Sequence, residues 1–333
     1  MAKVAQAFSP KSWKVYIVSD ATNSGATGIA TAGMFQLDVD SIGFPSLNPT
    51  QSLDVRSGAG RTLKDEDFFQ DNILRVPEFQ LSGIMHHDTG HALMAQNICN
   101  DVTTDIAVQS GEDGSSHLYG AGETLTNTAS SLTVVFEPSD VTNQQQMEFF
   151  GCVVTAFSLS AESNTDGGQY KWSATFQTGK KPDLASTATL TTPAAYVNTN
   201  IPLLSASSAH QVFAVDVVLS SFSVNIESPA VFTGVAADGY ESVSRGAEIA
   251  VTADAQVKYD GNTKGFINSY DTQTAAKIAA MFTIVNNDNW GVAIANGVFT
   301  NVALAEGDIM MLDCSIKAVD DGTDALLIVE LSD

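Results

Sequence analysis

The chain has 333 residues, with 15 Lys and Arg against 38 Asp and Glu and a formal net charge of −23. That length can bury a large core, as one big domain or two ordinary ones. So acidic a surface, with no basic stripe, argues against binding nucleic acid by neutralising phosphates.

No membrane span is expected, because the best apolar run, around 212–224, is broken by Asp216 and by serines. The opening residues hold one Lys and no apolar stretch, which does not read as a secretory signal. Cys99, Cys152 and Cys314 are odd in number and widely spaced. They suit neither a disulfide framework nor a zinc knuckle, and point to folding in a reducing compartment.

In chain order, residues 15–18 predict a short strand, and the clean alternation of 35–42 predicts one continuous strand. Residues 52–56 predict the next. The stretch 61–145 is set apart as a long loop or insertion: it is charged near its start, holds Phe68, Phe69 and Phe79, and is broken by Pro77. Short helices are expected within it near 65–74 and 91–98.

Strands resume at 132–136 and 147–159. The segment 152–163 (CVVTAFSLSAES) resembles 217–228 (VVLSSFSVNIES) 65 residues later, with five identities: Val153/Val218, Phe157/Phe222, Ser158/Ser223, Glu162/Glu227 and Ser163/Ser228. Each copy alternates apolar with small polar residues and is followed by a turn and a second strand, 169–178 or 247–259. The pattern predicts a duplicated strand-turn-strand core over 146–262.

Residues 271–282 predict the best helix, with Asp271 or Thr272 as cap and Ala276, Ile278, Ala279 and Phe282 as its apolar stripe. Three strands close the chain at 292–299, 309–319 and 325–331. The expected architecture is a single β-rich domain over 1–333.

Chemical motifs are weak. His87 and His91 have the spacing of a zinc helix, but Asp88 stands where a catalytic Glu would, Gly90 weakens the helix, and His117 and His210 sit at unconvincing distances. His86, His87 and His91 therefore read as solvated or capping histidines of a loop. The glycine turn from Arg56 to Arg61 lacks the ending of a phosphate loop, and Asp320-Asp-Gly-Thr-Asp324 reads as a hairpin turn rather than a calcium loop. The pair Lys180-Lys181 also reads as a turn. No residue is assigned to catalysis, to a cofactor or to a metal, and no enzyme is expected.

Several segments together resemble the tail tube proteins (major tail proteins) of long-tailed bacteriophages. They are FQLDVDSIGFP at 35–45, LDVRSGAGR at 53–61, FSLS at 157–160, YKWSATFQTG at 170–179, FSVNI at 222–226 and SRGAEIAVTADAQVKY at 244–259. The resemblance implies a β-sandwich or barrel-type tube fold with one flanking helix. It implies a homohexameric ring in which inner sheets of neighbouring subunits close one barrel. Rings would stack around a tape-measure protein, end at a tail terminator, and let genomic DNA pass without specific binding. The location implied is the virion tail, assembled in the host cytoplasm. Read alone, the residues also leave open another virion or surface β protein, such as a capsid decoration or fibre base, and more remotely a His-dependent metal hydrolase.

Overall fold

The computed structural model describes residues 12–20, 33–44, 51–53, 68–70, 78–86, 88–99, 117–121, 131–140, 145–180, 182–186, 190, 193–196, 201–204, 210–234, 240–246, 249–283, 289–305, 307, 309–319 and 327–331. The fold is mainly β.

The first strands are β1 (Lys14–Ser19), β2 (Phe35–Leu37), β3 (Ser41–Gly43), β4 (Gln51–Leu53), β5 (Phe68–Gln70) and β6 (Glu78–Ile84), followed by helix α1 (Thr89–Cys99). Then come β7 (Leu132–Glu137), β8 (Gln146–Glu162), β9 (Lys171–Thr178) and β10 (Asp183–Ser186). The chain goes on with β11 (His210–Val212), β12 (Val215–Val217), β13 (Leu219–Glu227), β14 (Ala230–Thr233), β15 (Ser242–Arg245) and β16 (Ala250–Lys258). Helix α2 (Phe266–Thr272) precedes β17 (Ala276–Thr283), β18 (Asn289–Ala305), β19 (Met311–Ala318) and β20 (Leu327–Leu331). One further strand, His117–Ala121, pairs with β20.

Eight of these strands lie side by side, all antiparallel, in the order β3–β6–β9–β8–β13–β16–β19–β18. Their residues alternate with period two. In β16, Val251, Ala253, Ala255 and Val257 are buried while Thr252, Asp254 and Lys258 are exposed. In β19, Leu312, Cys314 and Ile316 are buried while Asp313 and Lys317 are exposed. One face of this wall therefore joins the core and the other faces water.

The 17-residue strands β8 and β18 each serve two layers. The first part of β8 pairs with β7 and β10, and its second part sits in the wall between β9 and β13. Burial follows the change of layer: Cys152, Val153 and Val154 are buried in succession, because both faces are covered there, and strict alternation begins only at Phe157. Gly151 (φ 59°) and a register shift that leaves Thr155 unmatched supply the bend. Strand β18 divides likewise between β17 and β20 at its start and β19 at its end.

Between the layers, Phe79, Phe136, Phe149 and Phe176 form a ring cluster, with centroids 5.0–5.5 Å apart in the close pairs. Helix α1 packs on β8, β1 and β2 and is buried nearly all round, which is why its sequence shows no polar stripe. Phe266 of α2 packs against Phe299 of β18.

Three expectations change against this fold. The helix read over 271–282 is divided: α2 ends at Thr272, Gln273 closes it in the left-handed conformation (φ 52°), and 276–283 is β17. Apolar residues at 276, 278, 280 and 282 fit a period of two as well as a helical stripe, and pairing with β18 decides between them. The single strand expected over 35–42 is two short ones, β2 and β3, parted where Asp38 turns to bind His86. Within 61–145, strand β5 at 68–70 stands where a helix near 65–74 was expected, β6 is an integral strand, β7 lies where 132–136 predicts one, and α1 is a core helix, as expected for 91–98.

Candidate functional site

The largest organised feature is the water-facing side of the eight-stranded wall. Register places Ser82, Ser173, Ser158, Asn225 and Thr252 in one row across five strands. The next row holds Lys171, Ser160, Ser223, Asp254 and Ser315. Neutral hydroxyls and amides dominate. The exposed charges are Glu78, Glu162, Glu227, Asp254 and Asp313 against Lys171, Lys258 and Lys317.

No two of these acids stand directly opposite one another, so the ladder carries no like-charge cross-strand pair. Several of the charges are held by neighbours. Gln177 Nε2 donates to Glu78 Oε2 (2.9 Å), Gln256 Nε2 to Asp313 Oδ1 (2.8 Å), and Lys171 Nζ is paired with Asp166 at the hairpin tip. The surface is wet, finely mixed in polarity and only slightly acidic. It offers a passing polyanion no basic row to grip.

Behind the wall lies a residue that the sequence did not single out by role. Arg245, in the Ser-Arg-Gly turn at 244–246, is buried, and its guanidinium donates to four oxygens. Nη1 reaches the carbonyls of Val154 (2.7 Å) and Ser228 (2.6 Å), and Nη2 the carbonyl (2.8 Å) and Oδ1 (3.3 Å) of Asn97. Asn97 Oδ1 also accepts the Val154 N–H (2.7 Å). The arginine thus fastens the end of α1 to the bend of β8 and the end of β13, where a positive charge also meets the negative end of the helix dipole. Burial lowers its pKa to about 10. An Arg-Gly pair ending a short strand is the signal that could have pointed here.

Two of the histidines, His86 and His91, form a buried pair. His86 and His91 are buried rather than solvated, because the loop is covered by the core side of β9 and by Tyr196. Their rings lie 5.2 Å apart; His86 Nε2 meets Asp38 Oδ2 at 2.8 Å, and His91 Nδ1 meets Asp88 Oδ1 at 2.8 Å. Asp88, at the place of the catalytic Glu of a zinc helix, instead caps α1 by accepting the His91 backbone N–H (2.9 Å). Burial works to raise the Asp88 pKa, but the hydrogen bonds and charge of His91, with His86 behind it, outweigh that and hold it below the ordinary value. No group of three or more His, Cys, Asp or Glu among the described residues is arranged to hold a metal. His87, the 56–61 turn, Lys181 and the 320–324 turn lie outside the described residues. His117 is in the strand paired with β20, and His210 opens β11.

A continuous antiparallel sheet with a polar face, backed by a sealed core, defines a wall-forming structural protein. Comparison with known families agrees: the family described as phage tail tube protein matches residues 93–318, and the chain belongs to it. It is a structural subunit of a phage tail tube, a component of the virion tail that assembles with itself. No curated protein matches the chain.

Proposed function

We propose that copies of this chain close edge to edge into rings, that the rings stack into a hollow tube, and that the polar face of the β3–β18 wall lines its bore. During assembly the bore holds a tape-measure protein and the tube ends at a terminator; the genome later leaves through it. The observation that carries this reading is the wall itself. Its interior strands are fully paired, its outermost stretches, β3 and 298–305 of β18, have no outer strand partner among the described residues, and one whole face is polar. Long unpaired edges invite aggregation unless they are paired, and closure of a barrel between copies removes them. A neutral, mildly acidic lining lets DNA slide without phosphate contacts. Three buried cysteines, none of them in a disulfide, suit assembly in the reducing host cytoplasm.

The test is direct. The purified chain, concentrated and imaged in negative stain, is expected to form hollow rings or tubes. Featureless monomers at all concentrations and salts would overturn the reading.

A further inference from the structure

With the strand His117–Ala121 left out of the count, the strand ladder repeats itself ten strands later. β1 pairs with β2 and β7, and β11 with β12 and β17. The hairpin β4–β5 has its counterpart in β14–β15. Strand β6 joins β3 to β9 as β16 joins β13 to β19. Strand β8 pairs with β9, β7 and β10, and β18 with β19, β17 and β20.

Register repeats too. Lys171 faces Ile84 and Ser160; Met311 faces Lys258 and Ala305. The shift that skips Thr155 recurs at Thr300, and the shift between Leu132 and Val134 recurs between Ala276 and Ile278. Even a loop hydrogen bond is copied: Met85 N to Tyr170 O (2.8 Å) and Tyr259 N to Met310 O (3.0 Å). Shared irregularities at matching places are far more specific than a shared strand order.

One wall pairing has no counterpart inside the chain. It is β8 with β13, where the first ten strands meet the second. Its equivalent would join 298–305 of β18 to β3, and these are the two outer ends of the wall. At the internal junction, Leu159 and Val224 stand opposite and are 0% and 1% exposed. Their counterparts by register are Leu304 and Phe44, which are 50% and 38% exposed. Two large apolar side chains therefore stand partly exposed at the two positions that the internal joint buries, Phe44 with one side of its ring against Trp13 and Phe136.

We propose that this chain is a tandem of two wall motifs and that three copies, not six, close the ring, the 298–305 edge of one copy pairing antiparallel with β3 of the next so that Leu304 lies opposite Phe44. The number rests on the tube reading and on wall geometry. Strands about 4.8 Å apart and tilted by about 40° give eight strands about 50 Å of circumference. Three copies then enclose a barrel about 50 Å across between backbones, and six would double it to about 100 Å, far wider than a threaded duplex requires. Two would leave about 30 Å, which side chains from both sides reduce to about the width of the duplex itself.

Two measurements test this. Image reconstruction of wild-type tubes counts the chains per ring. Independently, the double variant Leu304→Cys, Phe44→Cys is assembled, oxidised and run on denaturing gels without reductant; the native thiols are buried and stay out of the reaction. A covalent ladder that stops at three, with three chains per ring, is expected. A ladder reaching six, or six chains per ring, overturns the copy number. Wild-type tubes with three chains per ring and no cross-link in an assembled variant overturn the edge register. Failure of the wild-type chain to form any ring or tube overturns the tube reading itself, and this proposal with it.

Discussion

Arg245 Nη2 lies 2.8 Å from the carbonyl oxygen of Asn97, which joins a turn in the second half of the chain to the last turn of a helix in the first. Ordinary chain distance between them is 148 residues, and the contact is buried. Removing the side chain leaves the carbonyls of Val154, Ser228 and Asn97 without their donor in a dry site. Arg245→Met is therefore expected to destabilise the unassembled chain by about 3–5 kcal/mol, and Arg245→Lys by less, since one ammonium serves fewer of these acceptors. Urea unfolding checks it: the midpoint falls with an unchanged slope. A midpoint within error of wild type would show that the latch is ornamental.

Asp88 sets an acid limit on the first layer. Its folded pKa is depressed, so its contribution is present above the unfolded carboxylate value of about 3.9 and is lost as pH falls through the folded value. Asp88→Asn keeps a capping side chain but not the charge. The variant is expected to be about 1 kcal/mol less stable at pH 7, with the gap closing below about pH 4. Denaturation curves at several pH values read this out, and a gap that stayed constant down to pH 2 would rule the account out.

The strand periods and the polar and apolar faces were legible in the sequence, because period-two burial writes itself into residue type. Helix α1 was legible at 91–98, but the burial of His86 and His91 was not, since nothing local shows that Trp172 and Tyr196 close over them. The resemblance between 152–163 and 217–228 was read as a repeat. In space these segments are neighbours in β8 and β13, with Leu159 facing Val224. The recurring ladder left little trace in residue identity: KWSATFQT of β9 and MLDCSIKA of β19 have no identity at any of their equivalent positions. Topology and register persist where side chains have diverged, because backbone pairing does not depend on which apolar residue fills a core position.

The wall charges make a further test. A strongly acidic bore was a natural inference from a net charge of −23, yet the described wall strands present only five acids and three lysines to that face. Converting Glu162, Asp254 and Asp313 together to Lys reverses the balance without touching the core side. Tubes are expected to form, and DNA release to slow several-fold at low salt, with recovery as salt rises. Release kinetics from phage carrying the triple variant decide it; unchanged rates at low salt would mean that wall charge does not govern passage.

Thiol chemistry gives a simple check on the core. Burial pushes the Cys152 thiol far above its ordinary value, helped by the charge of Asp20, and pushes Cys314 up to about 12 with help from Asp313. A thiol reagent at pH 8 is expected to label none of the three cysteines until denaturant is added. Rapid labelling of the native chain at Cys152 or Cys314 would contradict the packing.

The two long strands also govern how the protein comes apart. Because β8 and β18 each run through both layers, and the buried residues on either side of the β8–β13 joint belong to one continuous cluster, neither layer can melt while the other stays intact. Local openings are expected at termini and hairpin tips, and the interior amides are expected to exchange by whole-molecule unfolding, which hydrogen-exchange measurements check. In the tube proposed above, this removes a seam along which the wall of each subunit would otherwise part.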